Sequence, residues 1–162
     1  IMGCDYSAAV IVGFKLKHLN PKQIVKKTEL KKFNPNTGEP YMVVQEDTFT
    51  VFGGLEIPGN LKTALRFFTE DIEYELEDDE INPLGDYHPF LHTYQHMTDC
   101  SDDDLIENAL IGFSVACVYE TSKTVDEEKI EVFKQEIKDW LKYILKIENI
   151  PVELHVAMHV SY

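Results

Sequence analysis

Residues 88 to 104 read HPFLHTYQHMTDCSDDD, setting His88, His92, His96 and Cys100 four residues apart and adding Asp102, Asp103 and Asp104. Imidazoles at i and i+4 on a helix stand on adjacent turns and can share a metal ion. Each step of four drifts by about 40° around the axis, so one straight helix cannot aim all four side chains at one ion. A pair such as His88/His92 or His92/His96 can, if a third ligand comes from elsewhere. The spacing predicts a short helix with Phe90, Tyr94 and Met97 on its buried side and the histidines on its exposed side. An exposed polar face is the first expectation for His88, His92 and His96, and a metal-dependent protein or enzyme is the alternative.

The aspartates have a simpler role. Ser101 with Asp104 three residues later is a capping pattern, and negative charge is favoured in the first turn of a helix. The chain has no D-x-D-x-D-G loop with a closing Glu, no G-x-S-x-G, no Walker loop and no dinucleotide fingerprint. His155 and His159 fall on one face of a strand about 13 Å apart, too far to share an ion. No catalytic residue and no cofactor are expected.

Charge is the next signal. The formal net charge is −14, from 29 acids and 15 bases. Such a field repels nucleic acid, so no direct nucleic-acid partner is expected. Seven lysines stand against two acids in residues 1–32, a net of +5. Lys22, Lys26, Lys27, Lys31 and Lys32 form a basic patch, and the remaining chain is strongly acidic. In TEDIEYELEDDE, Ile72, Tyr74 and Leu76 alternate with Glu73, Glu75 and Glu77, which predicts a half-buried strand with a carboxylate face. Like charges two apart on a strand repel, so this face calls for water, cations or lysines, and the N-terminal lysines are candidates. A face of that kind also suits a basic protein partner, as in nucleic-acid mimicry.

These residues need elements to hold them. In SAAVIVGFKLK, Ala8, Val10, Val12, Phe14 and Leu16 alternate to one face of a strand and Ile11 takes the other. Asn20, Pro21 and Gln23 match a helix N-terminus and predict a short helix over NPKQIVKK. KKFNPNTGEPYMVV predicts two extended arms around a turn at Asn34–Gly38, and TFTVF a short strand broken at Gly53-Gly54. Asn60 caps a helix through Leu61, Ala64, Leu65 and Phe68. The helix after Ser101 is expected to end at Gly112, before a strand with Phe113, Val115, Cys117 and Tyr119 on one face. Thr124 and Glu127 predict the cap of a long helix, with a stripe of Ile130, Phe133, Ile137, Trp140, Leu141 and Ile144, ending near Asn149 and Pro151. Val152, Leu154, Val156, Met158 and Val160 share one face of a last strand. If the strands on either side of the long helix are parallel, their crossover is right-handed.

The start of the chain carries a resemblance. Ile1 precedes Met2, the expected natural start, and MGCDYS matches an M-G-x-x-x-S acylation pattern, although a strand begins at once and an ordinary strand start is expected. MGCDYS resembles the MGCDYY-type beginnings of uncharacterised small proteins of giant DNA viruses such as marseilleviruses. It covers six residues, and Ser7 departs from the usual aromatic. The resemblance implies an infection-related protein in host cytoplasm, nucleus or viral factory, and transfers no functional residue. Three cysteines with no C-x-x-C pair fit a reducing, intracellular compartment, and no apolar run approaches the ~20 residues that span a bilayer, so no membrane association is expected.

The chain as a whole is expected to be a single α+β domain. A mixed or antiparallel sheet holds the strands near 7–17, 113–120 and 152–161, the helix near 125–147 packs on one face, and several short helices complete it. The expected function is non-enzymatic: an interaction or structural protein with an acidic surface that forms a homo-oligomer, a dimer or trimer.

Overall fold

The computed structural model describes residues 5–72, 76–93, 97–117 and 124–161, with side chains described at all of these except 5–7, 117 and 159–161. The class is α+β, with two antiparallel sheets and three helices among the described residues. The strands are β1 (Asp5–Lys15), β2 (Lys22–Phe33), β3 (Pro40–Phe52), β4 (Leu55–Pro58), β5 (Phe90–His92), β6 (Leu110–Cys117) and β7 (Glu153–Ser161). The helices are α1 (Leu61–Leu65), α2 (Asp102–Asn108) and α3 (Glu127–Trp140).

The larger sheet has the order β5-β6-β1-β7, and every pairing in it is antiparallel. Because β6 and β7 flank β1 and both oppose it, they run parallel to each other with α3 as the crossover. The alternation of β1 fits its central place. Val12 and Phe14 point into the main core, while Ile11 is buried on the reverse face with Leu110 and Ala157. Gly13 and Gly112 are directly paired, and a Cβ on either would overlap the backbone of the other strand. Gly112 therefore serves close strand approach. It does not stop α2, which ends at Asn108 with Ala109 already extended.

The apolar stripe of α3 packs over β1 and β6. Phe133 stacks on Phe113 with centroids 4.9 Å apart, and the Trp140 indole N–H donates to the Leu84 carbonyl at 3.3 Å. The cap is Asp126, whose carboxylate accepts from the Glu128 N–H at 3.0 Å, and Thr124 is not used. The helix widens into a π turn over Leu141–Leu145 and closes on Lys146 in the left-handed region (φ 58), before Asn149 and Pro151.

The second sheet is β2-β3-β4. It corrects the helix expected at Asn20–Lys27. Asn20 has φ 46 and caps the C-terminal end of a 3-10 turn over Leu16–Leu19, and β2 starts two residues later. Asn suits a helix start and a left-handed C-cap alike, and KQIVKKTELKKF has no apolar stripe at helical spacing for a helix to bury. Instead each residue from Lys22 to Phe33 finds a partner from Val51 to Pro40. The expected turn holds: Gly38 has φ 70, its N–H donates to the Asn34 carbonyl at 2.8 Å, and the Asn36 N–H donates to Asn34 Oδ1 at 2.9 Å. Gly53-Gly54 links β3 to β4, with Gly53 at φ 60, a two-residue hairpin turn that requires glycine. The Gly54 N–H donates to the Leu145 carbonyl at 2.6 Å, tying the base of this sheet to the end of the long helix. Phe52 and Ile57 complete one core with Trp140, Leu141 and Phe68.

Among the described residues no helix is long and apolar enough to cross a membrane.

Candidate functional site

Over its described residues 88–93 the histidine stretch is extended, not helical. Phe90–His92 is β5, paired with Gly112–Leu110 on the edge of the larger sheet. His96 and Tyr94 lie outside the described residues, and Met97 begins a 3-10 turn. His88 is only 2% exposed, between Phe90 (5.1 Å) and Phe68 (6.2 Å). This corrects the exposed polar face at His88, and His92 is half-buried. A residue before proline is pushed to extended backbone, and Pro89 follows His88, so a helix through both was disfavoured from the start.

The hydrogen bonds of His88 assign its state. Nδ1 lies 2.8 Å from the Pro89 carbonyl, which can only accept, so Nδ1 carries the proton. Nε2 lies 3.1 Å from the Asn82 amide nitrogen and accepts from it. That amide nitrogen also donates to the Phe67 carbonyl, and Asn82 Oδ1 accepts from the Leu84 N–H. The network is complete for a neutral ring. A second ring proton would face the Asn82 N–H groups, and Asn82 cannot turn without losing Leu84. Burial lowers the His88 pKa, and the bond to Pro89 opposes the shift in part. His92 Nε2 donates to the Gly112 carbonyl at 3.1 Å. Its pKa is also lowered by burial, against the opposing bond to Gly112 and the charge of Glu70. His88 is thus a buried ring that fixes a loop, and His92 a half-buried ring on an edge strand. Among the described residues no group of three or more His, Cys, Asp or Glu side chains is placed to hold a metal ion.

The same loop is clamped elsewhere. Arg66, the one arginine of the chain, donates to both carboxylate oxygens of Glu80 at 2.8 and 3.0 Å and lies over the Phe67 ring. The Tyr87 hydroxyl donates to Glu136 on α3 at 2.7 Å. The phenol is pushed up to about 12, first by desolvation and then by the bond and charge of Glu136. Ser101 caps α2 as expected, accepting from the Asp104 N–H at 3.2 Å, and Asp102–Asp104 fill its first turn.

The acidic strand expected from the alternation of Ile72, Tyr74 and Leu76 with Glu73, Glu75 and Glu77 falls largely on residues 73–75, which lie outside the described residues. The Leu76 N–H donates to the Ile72 carbonyl at 3.0 Å, and both side chains meet the core. Glu73 and Glu75 lie outside the described residues, and Glu77 is exposed. The lysines do not reach this region in the described contacts. Lys26 pairs with Glu56, and Lys27 with Glu46 at 3.5 Å, both within the second sheet.

What sequence reasoning missed is the length of the β2–β3 hairpin. β4 covers β3 only from Phe49 to Phe52. The Thr48 carbonyl still accepts from the Gly59 N–H and Lys26 still reaches Glu56, but from Lys27/Glu46 to Phe33/Pro40 the two strands pair only with each other among the described residues, over seven pairs, or about 23 Å. Val25, Phe33, Tyr41, Met42 and Val44 are between 46% and 61% exposed, Tyr41 on one face and the other four together on the opposite face. Lys22, Lys31 and Lys32 are exposed along one strand of it. A two-stranded ribbon is marginal alone in water, and cross-strand pairs such as Leu30/Val43 and Lys31/Met42 add about 0.2–1 kcal/mol each. The available signal was the run Y-M-V-V opposite L-K-K-F around an Asn-Pro…Gly turn, an extended pair with apolar residues on both faces.

No protein-family model, curated protein or solved structure matches this chain. Functional assignment therefore rests on the arm, the charge and the buried network.

Proposed function

We propose that this chain is a non-enzymatic interaction protein, an acidic body that presents the β2–β3 hairpin as an arm to a partner protein, and that it works as a homo-oligomer. The carrying observation is the exposure of Phe33, Met42 and Val44 on one face, and of Tyr41 on the other, of a ribbon that no third strand covers along its outer part among the described residues. Apolar side chains on both faces of an isolated ribbon gain from a partner surface and do little for the body.

Charge selects protein over nucleic acid. A β-ribbon fits the major groove of DNA. However, from Lys22 to Phe52 five lysines meet four acids, two of the lysines are paired with carboxylates, and no arginine is present. An almost neutral arm on a body of charge −14 gains little from phosphates. Lys31 and Lys32 beside Phe33, Tyr41 and Met42 suit a surface that is apolar with an acidic rim. The resemblance of MGCDYS to giant-virus proteins extends the reading to host factors in cytoplasm or nucleus during infection.

The test is an arm-shortened chain in which Asn-Gly replaces residues 28–45, joining the paired Lys27 and Glu46 by a two-residue turn. Both forms are recovered from eukaryotic cells at low salt. The reading expects partners on the full chain that vanish from the shortened one, whose circular dichroism stays folded. Equal partner sets on the two forms would defeat it.

A further inference from the structure

We infer that the outer edge of β7 pairs with β7 of a second copy, joining the two larger sheets across a two-fold axis. This deepens the homo-oligomer part of the reading above and leaves the arm free.

β7 is the last strand of its sheet, and among the described residues nothing pairs with its outer edge. It is paired with β1 over all nine residues, from Glu153 opposite Gly13 to Ser161 opposite Asp5, with no register shift. Long regular edges invite another strand, and proteins usually blunt them with lysine, proline or a bulge. From Leu154 to Ser161 this edge has no lysine, no proline and no carboxylate.

Its side chains point the same way. Leu154, Val156 and Met158 are 49%, 66% and 62% exposed. They stand opposite Val12, Val10 and Ala8 of β1 and so lie on the face that α3 covers farther in. The smaller Ala157 is buried on the other face. The strand thus shows its larger apolar residues to solvent. An isolated body has no use for that stripe, whereas two stripes laid side by side cover one another.

Charge and symmetry name the occupant. Two bodies of −14 repel, and they meet at least cost along a seam without charge. β7 is such a seam. Antiparallel strand pairing is self-complementary under a two-fold axis. An axis at Val156 sets Val156 beside its own copy and Leu154 beside Met158 of the second copy. One strand per copy falls at the low end of stable interfaces, about 1,200 Å² in total, so the dimer is expected to be micromolar.

The test is light scattering from 1 to 100 µM at low and high salt on the full chain, on Val156→Lys, on Met158→Lys and on the arm-shortened chain. The expected result is a mass rising to twice 18.7 kDa, with association strengthened by salt because like-charged bodies are screened. Each lysine variant is expected to weaken it at least tenfold while its melting temperature stays within a few degrees. The arm-shortened chain is expected to dimerise as the full chain does. A monomer at 100 µM in high salt overturns the proposal. So does a dimer that survives both lysine variants. A dimer lost only on arm shortening overturns β7 pairing and leaves the arm as the contact. A folded lysine variant that becomes monomeric but keeps its arm-dependent partners supports both readings separately.

Discussion

Replacing His88 with alanine tests the buried network, and its effect should shrink in acid. The substitution removes a ring packed between Phe68 and Phe90 and strips a partner from the Pro89 carbonyl and from the Asn82 amide. Removing a buried ring costs about 3–5 kcal/mol and stranding a polar group about 1–3 kcal/mol, with water in the new space recovering part of the second. A net loss of about 3–4 kcal/mol at pH 7.5 is expected, a large share of the ~5–15 kcal/mol that holds a domain of this size. The pH dependence has a definite sign. The folded pKa of His88 is lowered from its ordinary 6.5, so its contribution is full above 6.5 and is lost as pH falls from 6.5 toward the depressed folded value. One pH unit below 6.5 removes up to about 1.4 kcal/mol. The gap between wild type and His88→Ala should therefore narrow between pH 7.5 and 5.5. Comparing the two proteins cancels the carboxylates, which both share. Urea unfolding followed by the fluorescence of Trp140, the one tryptophan and a core residue, reads the gap directly. A gap that stays constant or widens in acid would refute a neutral, buried His88.

Three other outcomes are expected. Gly112→Ala places a methyl against the β1 backbone and should cost about 3 kcal/mol or more, seen as a large drop in the urea midpoint. Glu136→Gln removes the charge beside Tyr87, so ultraviolet titration should show one phenol moving down from about 12 toward 10. Replacing residues 28–45 by Asn-Gly removes no residue of the main core and should leave the melting temperature within a few degrees.

Much of the body was legible in the sequence. The stripe from Ile130 to Ile144 and the alternation in Ala8–Leu16 and Phe113–Cys117 each report a local period, and a period survives folding because one face must be buried. Three features were not legible, for different physical reasons. A spacing of four fits a helix face and equally two full periods of a strand, so His88 and His92 alone could not decide between them. Pro89 could have done so. Asn20-Pro21 carries a cap signal that serves either end of a helix, and the outcome depended on pairing of Lys22–Lys27 with Val51–Glu46 farther along the chain. Alternation in β7 shows two faces without telling which is covered. That depends on how far α3 extends across the sheet, which is a property of packing.

The central claim is that the arm touches a partner, and photo-crosslinking tests it most directly. A benzophenone amino acid is placed at Tyr41 on the arm or, as a control, at Ile81, which is 88% exposed on the body. The account predicts a discrete crosslinked protein from Tyr41 in eukaryotic cells and none from Ile81. Equal yields from both positions, or none from Tyr41, would contradict it.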